Sequence, residues 1–189
     1  MSPGRPGPSL GGQCGPFPGG WRGPSPGGAP MSAAGRLVAI ALLSVVAVGI
    51  ALVSQHVFDM QPCPWCVLQR AIFVAIALVC LIGLVLRSGA ARAGAATLAL
   101  LLAIGGGAAA IWQHFWAAAS ASCNLTLADK ILNGAGLTAL APDVFAPRAT
   151  CADAAVSLFG VPYDFWSLAL FVIVAILAIA ALARPSRRR

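Results

Sequence analysis

Two cysteines separated by two residues, Cys63 and Cys66, are the residues of this sequence best suited to chemistry. Two thiols at this spacing can close a small disulfide ring, or they can supply half of a metal site. Pro64 fits the first position of a helix, which makes Cys63 the expected N-cap residue. The free N–H groups and the dipole at that end of a helix favour a thiolate. The spacing therefore predicts a reactive pair of thiols where a helix begins.

Arg70 follows Cys66 by four residues, so the two side chains lie on one face of the predicted helix. An arginine just inside an apolar helix is costly in a membrane and marks a functional site by default. The plainer alternative is a side chain that extends to the membrane surface. The functional interpretation is a cation that stabilises both the Cys66 thiolate and the polar head group of a ligand at the same depth.

The composition is that of a membrane protein. Of the 189 residues, 59% are hydrophobic and 9% are charged, whereas a soluble domain carries about a quarter charged residues. Four apolar segments have the length needed to cross a hydrocarbon core of about 30 Å, and in lipid they must be helices. The sequence predicts an all-α bundle of four transmembrane helices, with spans at about 37–53, 67–86, 93–116 and 165–183. Three glycines at 105–107 predict a kink or a closely packed neighbouring helix.

The arginines predict the orientation of the bundle. Those that flank the spans on one side mark that side as cytoplasmic, together with both termini: Arg36, Arg87, Arg92, Arg184 and Arg187 to Arg189. A short loop at 54–62 and a long loop at 117–164 then face outward, and all five aspartates fall on that side. The net charge of +7 is explained by this topology, so we expect no nucleic-acid partner.

The first 30 residues form a separate segment that is rich in Pro and Gly. Such a segment cannot bury enough apolar surface to fold, so we expect it to be disordered. It does not have the pattern of a signal peptide. Met31 begins a more ordinary membrane-protein sequence, which suggests an upstream start site for residues 1–30. The four-helix domain is therefore expected at 31–189, and Cys14 is expected to have no role.

The long outer loop contains a second pair of cysteines, Cys123 and Cys151. Disulfides persist on the outer face of a membrane, and three pairings of the four cysteines are open. Two structural disulfides are one interpretation. However, the ring that Cys63 and Cys66 close is too small to restrict much chain entropy, which favours an exchangeable bond. A zinc site is disfavoured because the loop pair is no second C-x-x-C and four thiolates would carry excess negative charge, so no metal is predicted.

Three further features of the outer region are less specific. His114 ends span three, where a lone histidine is more often a packed or hydrogen-bonded side chain than a catalyst. Cys80 lies about 20 Å deeper than Cys66 along the helix, where it is expected to be a buried apolar residue. Residues 125–132 are expected to form a short helix. Aromatic residues are expected at the outer boundary of the membrane: Trp65, Trp112, Trp116, Tyr163 and Trp166.

Taken together, these motifs resemble the DsbB family of membrane thiol–quinone oxidoreductases. The resemblance is carried by C-P-W-C-x-x-x-R at the start of span two, by the loop cysteine pair, and by 158–162 with Trp166 before span four. It covers about 36–184. Gln69 is a departure, because many relatives carry Glu before the arginine.

The resemblance implies a relay in a bacterial inner membrane, with the four cysteines on the periplasmic side. A reduced DsbA-like periplasmic oxidase with a thioredoxin fold would attack Cys123, and the released Cys151 would attack Cys63. Cys66 would then pass electrons to a quinone, either ubiquinone or menaquinone. The same resemblance gives Arg70 and His114 as quinone-side residues.

Three alternatives are weighed against this relay. A vitamin K epoxide reductase-like enzyme places its loop cysteines before the C-x-x-C, which is the opposite order. An inner-membrane conduit for reducing power needs paired cysteines within its spans, and only Cys80 lies there. A membrane scaffold with structural disulfides would not require Arg70, and it would gain little stability from the small ring that Cys63 and Cys66 close.

Overall fold

The computed structural model describes Met1 and residues 31–118, 126–158 and 160–183. It contains seven α-helices and one short hairpin: α1 Ala33–Val57, α2 Pro64–Val85, α3 Gly89–Trp112, α4 Leu127–Gly134, α5 Leu137–Leu140, α6 Pro142–Phe145, β1 Ser157–Leu158, β2 Val161–Pro162 and α7 Tyr163–Leu182. A π-helical turn, Gln113–Ala117, continues α3. Expectations for the 1–30 tail, Cys14, Cys123, Leu125, Phe159 and the C-terminal arginines fall outside these ranges.

Four of the helices, α1, α2, α3 with its π-helical turn, and α7, are long and apolar enough to cross a membrane. They form a ring in which each helix packs on the next and α7 closes on α1. Arg36 near the start of α1 donates a hydrogen bond to the carbonyl of Ala180 near the end of α7. The beginning of α1 and the end of α7 therefore lie at one end of the bundle. The α1–α2 connection and the long segment before α7 lie at the other end, which confirms the predicted four-helix bundle.

Helices α1, α2 and α3 begin earlier than the apolar spans predicted, because capping side chains extend them. Ser32 caps α1 by accepting a hydrogen bond from the backbone of Gly35, and Ser88 caps α3 in the same way at Ala91. Cys63 caps α2 with Pro64 in the first turn, as the sequence predicted. Span three was predicted to run to residue 116, but regular α-helix ends at Trp112 and a π-helical turn follows.

The long connection between α3 and α7 folds against the end of the bundle at which α2 begins. Helix α4 begins two residues later than predicted, because Thr126 and Asp129 form a reciprocal capping box. Helices α5 and α6 follow, and α6 contacts α2. The β1–β2 hairpin closes with Gly160 at φ 78°, a conformation that glycine adopts without strain.

The bundle core is organised around a pair of stacked aromatic rings. Phe73 on α2 and Phe171 on α7 lie 4.1 Å apart between ring centroids and are nearly parallel. Gly106 on α3 lies against the Phe171 ring so closely that a Cβ there would be 2.3 Å from it. The predicted glycine run therefore allows a neighbouring helix to approach. Cys80 is fully buried in this core, as predicted.

Replacing Gly106 with Ala should destabilise the bundle, because the Phe171 ring cannot move away without losing its stack on Phe73. Overpacking of this kind costs about 1–3 kcal/mol. Gly105→Ala is the matched control, since nothing lies within 4 Å of a Cβ at Gly105. Thermal unfolding of the purified protein should show a lower midpoint for Gly106→Ala and an unchanged or higher one for Gly105→Ala. Equal midpoints would contradict this packing.

Candidate functional site

The first turn of α2 brings Cys63 and Cys66 together. Their sulfur atoms lie 2.9 Å apart as two thiols. The backbone N–H of Cys66 donates a hydrogen bond to the Cys63 sulfur over 3.3 Å. Because Pro64 has no N–H and occupies the first helical position, the turn is tight without leaving a donor unsatisfied. This geometry can open and close the predicted disulfide with little movement.

Cys151 joins this pair through a backbone contact between the two outer connections. The N–H groups of Arg148 and Ala149 donate to the carbonyl of Pro62 at 3.0 and 3.3 Å. This contact places Cys151 beside Cys63, and their side chains are hydrogen-bonded. The backbone N–H of Trp65 also hydrogen-bonds to the Cys151 sulfur. Three of the four predicted outer cysteines therefore lie side by side, with Cys63 in the middle.

The thiols of Cys63 and Cys151, which both lie outside the membrane-spanning helices, differ in acidity. The pKa of Cys63 is raised, first by its hydrogen bond with Cys151, then by its hydrogen bond with Cys66 and by burial. The pKa of Cys151 is lowered, first because the Cys63 side chain hydrogen-bonds to its sulfur and further by the Trp65 N–H, although burial opposes this. Of these two cysteines, Cys151 is therefore the more readily ionised.

Two cavities flank the row of sulfurs. The first, of about 920 Å³, is lined by Cys151 together with Trp65, Trp112 and side chains from α4 and the segment after α6. The second, of about 950 Å³, is lined by Cys66 and Arg70 together with apolar residues of α1, α2 and α7. Cys63 has no exposed surface and lines neither cavity. The two ends of the row thus face two different spaces.

Arg70 is enclosed in the bundle, with 5% of its surface exposed. Its guanidinium donates to the Gln55 side chain at 2.9 Å and to the Val144 carbonyl at 2.7 Å. The Nε atom is buried without a hydrogen-bond partner, and among the described residues no carboxylate pairs with Arg70. The alternative of a side chain extended to the membrane surface is therefore wrong. Arg70 lies at the wall of the second cavity.

Gln113 was missed by the sequence reasoning, although it contacts a reactive sulfur. Its Nε2 donates to the Cys66 sulfur at 3.2 Å and also to the carboxylate of Asp164. Its Oε1 accepts from Gln69 at 2.8 Å. Gln69, which stands where Glu was expected, is therefore part of the site. The sequence feature that could have identified Gln113 is a polar side chain at the end of an apolar span.

His114 lies at the edge of the site. Its Nδ1 is 3.5 Å from the Asp164 carboxylate, and its ring packs against Phe115 and Phe165. Asp164 lines the second cavity, whereas His114 does not. The plainer interpretation, a packed and hydrogen-bonded histidine, describes this placement. Within residues 31–118, 126–158 and 160–183, no three His, Cys, Asp or Glu side chains are arranged to hold a metal.

Comparison with known proteins gives a consistent result. The family model described as "Disulfide bond formation protein DsbB" matches residues 34–181. A disulfide bond formation protein B of Herminiimonas arsenicoxydans is 34% identical over 140 residues, covering 74% of this chain and 89% of the relative. A disulfide bond formation protein B 1 of Pseudomonas syringae pv. syringae is 33% identical over 154 residues, covering 80% and 90%. A relative of Ralstonia nicotianae is 33% identical over 150 residues, covering 79% and 93%.

The four apolar helices, the paired thiols at the start of α2 and the match over nearly the whole helical region lead to one conclusion: this chain is a multi-pass membrane protein that belongs to the DsbB family of disulfide bond formation proteins.

Proposed function

We propose that this protein is a thiol oxidase that reoxidises a DsbA-like partner and passes the electrons to a membrane quinone. The observation that carries the proposal is the buried position of Cys63 between two sulfurs that face different cavities. Electrons that enter at Cys151 can leave at Cys66 only through Cys63. A structural pair of disulfides has no need for such a row.

The entry step is thiol–disulfide exchange at the outer loop. The thiolate of the reduced partner attacks Cys123 in a Cys123–Cys151 disulfide, and Cys151 leaves as a thiolate. Cys151 then attacks Cys63, which breaks the Cys63–Cys66 bond and releases Cys66 as a thiolate. The position of Cys151 beside Cys63, and the backbone N–H of Trp65 that hydrogen-bonds to the Cys151 sulfur, support this order. The cavity beside Cys151 leaves space for a partner next to the loop disulfide that would include this sulfur.

The exit step takes place at the second cavity. Before it, the second partner thiol displaces Cys123 to complete the partner disulfide, and Cys123 attacks Cys151 of the Cys63–Cys151 bond, which reforms the loop disulfide and releases Cys63 as a thiol. Cys63 and Cys66 would then close their disulfide by giving two electrons and two protons to a quinone held in this cavity. Arg70 lines a largely apolar space with Phe73 and Cys66, and its buried Nε has no hydrogen-bond partner among the described residues. A carbonyl oxygen on an apolar ring fits the combination of a guanidinium group and apolar walls. Arg70 would hold the ring oxygen, and Cys66 would supply the reactive sulfur.

The orientation follows from the distribution of charge. Arg36, Arg87 and Arg92 lie at the end of the bundle opposite the cysteines, and the positive-inside rule makes that end cytoplasmic. The cysteine end then faces the periplasm of a bacterial inner membrane. This is the compartment in which disulfides persist and in which a DsbA-like oxidase would be met.

Cys66→Ser should abolish quinone-dependent reoxidation of the reduced partner, because the exit sulfur is lost, while the protein still inserts into the membrane. The Cys80→Ser variant is the matched control, since Cys80 is buried in the core away from the row, and it should retain activity. Turnover of the Cys66 variant at the native rate would contradict the assigned relay. Quinone absorbance and partner thiol content are the measurements.

Cys151→Ser should trap a mixed disulfide between Cys123 and the partner when the partner is added in its oxidised form, because the Cys123 thiolate opens the partner disulfide and the sulfur that would resolve this intermediate is missing. The adduct should appear on non-reducing gels and disappear on reduction. It should be absent from a Cys123→Ser, Cys151→Ser double variant. A mixed disulfide that forms at Cys63 instead would reverse the proposed order of attack.

Arg70→Ala should raise the KM for a soluble quinone analogue by about tenfold or more, the effect expected for losing a hydrogen bond from a charged group. Arg87→Ala is the matched control for the loss of one positive charge, because Arg87 is exposed just beyond the other end of α2. Its KM should equal that of the native protein. An unchanged KM in a folded Arg70→Ala protein would exclude Arg70 from quinone binding.

A further inference from the structure

The amide of Gln113 has one sterically and electrostatically allowed orientation. Its Nε2 carries two hydrogens, and these are directed to the Cys66 sulfur and to Asp164. If the amide were reversed, its oxygen would face a sulfur and a carboxylate, neither of which is a suitable donor when ionised. Gln113 is 3% exposed, so water cannot replace these contacts.

Gln69 fixes this orientation from the other side. Its Nε2 donates to the Gln113 oxygen at 2.8 Å, and Gln69 is itself 4% exposed. Every polar atom of the Gln113 side chain is therefore engaged. The π-helical turn that begins at Gln113 places this residue at the site without breaking the helix, a use for which such turns are known.

We propose that Gln113 is a catalytic residue that holds the Cys66 sulfur as a thiolate, and that Gln69 is the positioning residue that aims its amide. A hydrogen bond to an ionised acceptor is stronger than one to a neutral acceptor, so the amide favours the thiolate over the thiol. When Cys151 attacks Cys63 and the Cys63–Cys66 bond breaks, the electron pair of that bond goes to Cys66. Gln113 stabilises this leaving group, and its role in turnover rests on the proposed function.

The amide also separates two anions that would otherwise face each other. Asp164 and the Cys66 thiolate both accept from the same nitrogen, so Gln113 offsets their repulsion. Other charged or titratable groups surround Cys66 from the packed elements and the connections that line the cavity: Cys63, Arg70, His114, Tyr163, Asp59, Arg148 and Asp153. All of them except Cys63 are retained in the variants compared below, so a difference between variants reports the amide alone.

The test uses the full chain with Cys66 as its only cysteine, the other five being replaced by serine. The rate of alkylation of Cys66 by iodoacetamide is measured over a series of pH values, with no quinone present. Gln113→Leu should move the midpoint of the alkylation profile up by about one pH unit, which corresponds to about tenfold less thiolate at neutral pH. Thr97→Val is the matched control on α3, since the Thr97 hydroxyl donates to the Ala93 carbonyl of its own helix, and it should leave the midpoint unchanged.

Gln69→Leu should move the midpoint in the same direction by a smaller amount. The Gln69→Leu, Gln113→Leu double variant should move it no further than Gln113→Leu alone, because Gln69 acts through Gln113. Additive shifts, or native midpoints in the folded single variants, would overturn the proposal. If Gln113→Leu does not fold, Gln69→Leu decides the outcome.

This outcome is independent of the outcome for the proposed function. A native protein that fails to reduce quinone would overturn the quinone relay while leaving the shift in the alkylation profile. A native protein that reduces quinone but shows no shift would retain the relay and remove Gln113 and Gln69 from it.

Discussion

The hydrogen bonds to the Pro62 carbonyl are the interaction on which the arrangement of sulfurs depends. Two N–H groups from the long outer connection meet one carbonyl from the short connection, directly before Cys63. Without this contact, the segment that carries Cys151 would lose its backbone hydrogen bonds to the residue directly before Cys63. The donors and the acceptor of this contact are all main-chain groups. Thiol–disulfide exchange at the cysteine side chains therefore does not break the contact between the two connections.

Further polar contacts tie the same connection to the bundle. Gln55 of α1 donates to the carbonyl of Asp143, and Arg70 of α2 donates to that of Val144. Both acceptors lie in α6, a helix of four residues whose carbonyls are not all used within it. Buried polar groups are costly unless they are hydrogen-bonded. The contacts therefore satisfy the short helix and hold Arg70 at the cavity wall at the same time.

The sequence was sufficient for features that depend on local pattern. Span length predicted four membrane helices, and the order Cys-Pro predicted the cap and first turn of α2. The Gly run predicted close packing, which occurs at Gly106 against Phe171. In each case the neighbours that decide the structure are close in the chain, or the requirement comes from the bilayer itself.

The missed features depend on residues far apart in the chain. Gln113 contacts Gln69 and Asp164, which lie 44 and 51 residues away, and no local pattern pairs them. The π-helical turn was also missed, because a run of apolar residues has the same composition in either kind of helix. Arg70 was singled out from the sequence, but its hydrogen-bond partners, the Gln55 side chain and the Val144 carbonyl, could not be chosen from sequence alone. His114 was grouped with Arg70, yet the structure separates it from the cavity by Asp164.

The central claim is that electrons move from a partner thiol pair through this protein to a quinone. It is tested most directly by mixing the purified protein with a quinone analogue and a reduced DsbA-like thioredoxin-fold protein while following quinone absorbance. The account predicts that one quinone is reduced for each partner disulfide formed, with no reduction when the protein is omitted. Oxidation of the partner without loss of quinone absorbance would contradict it.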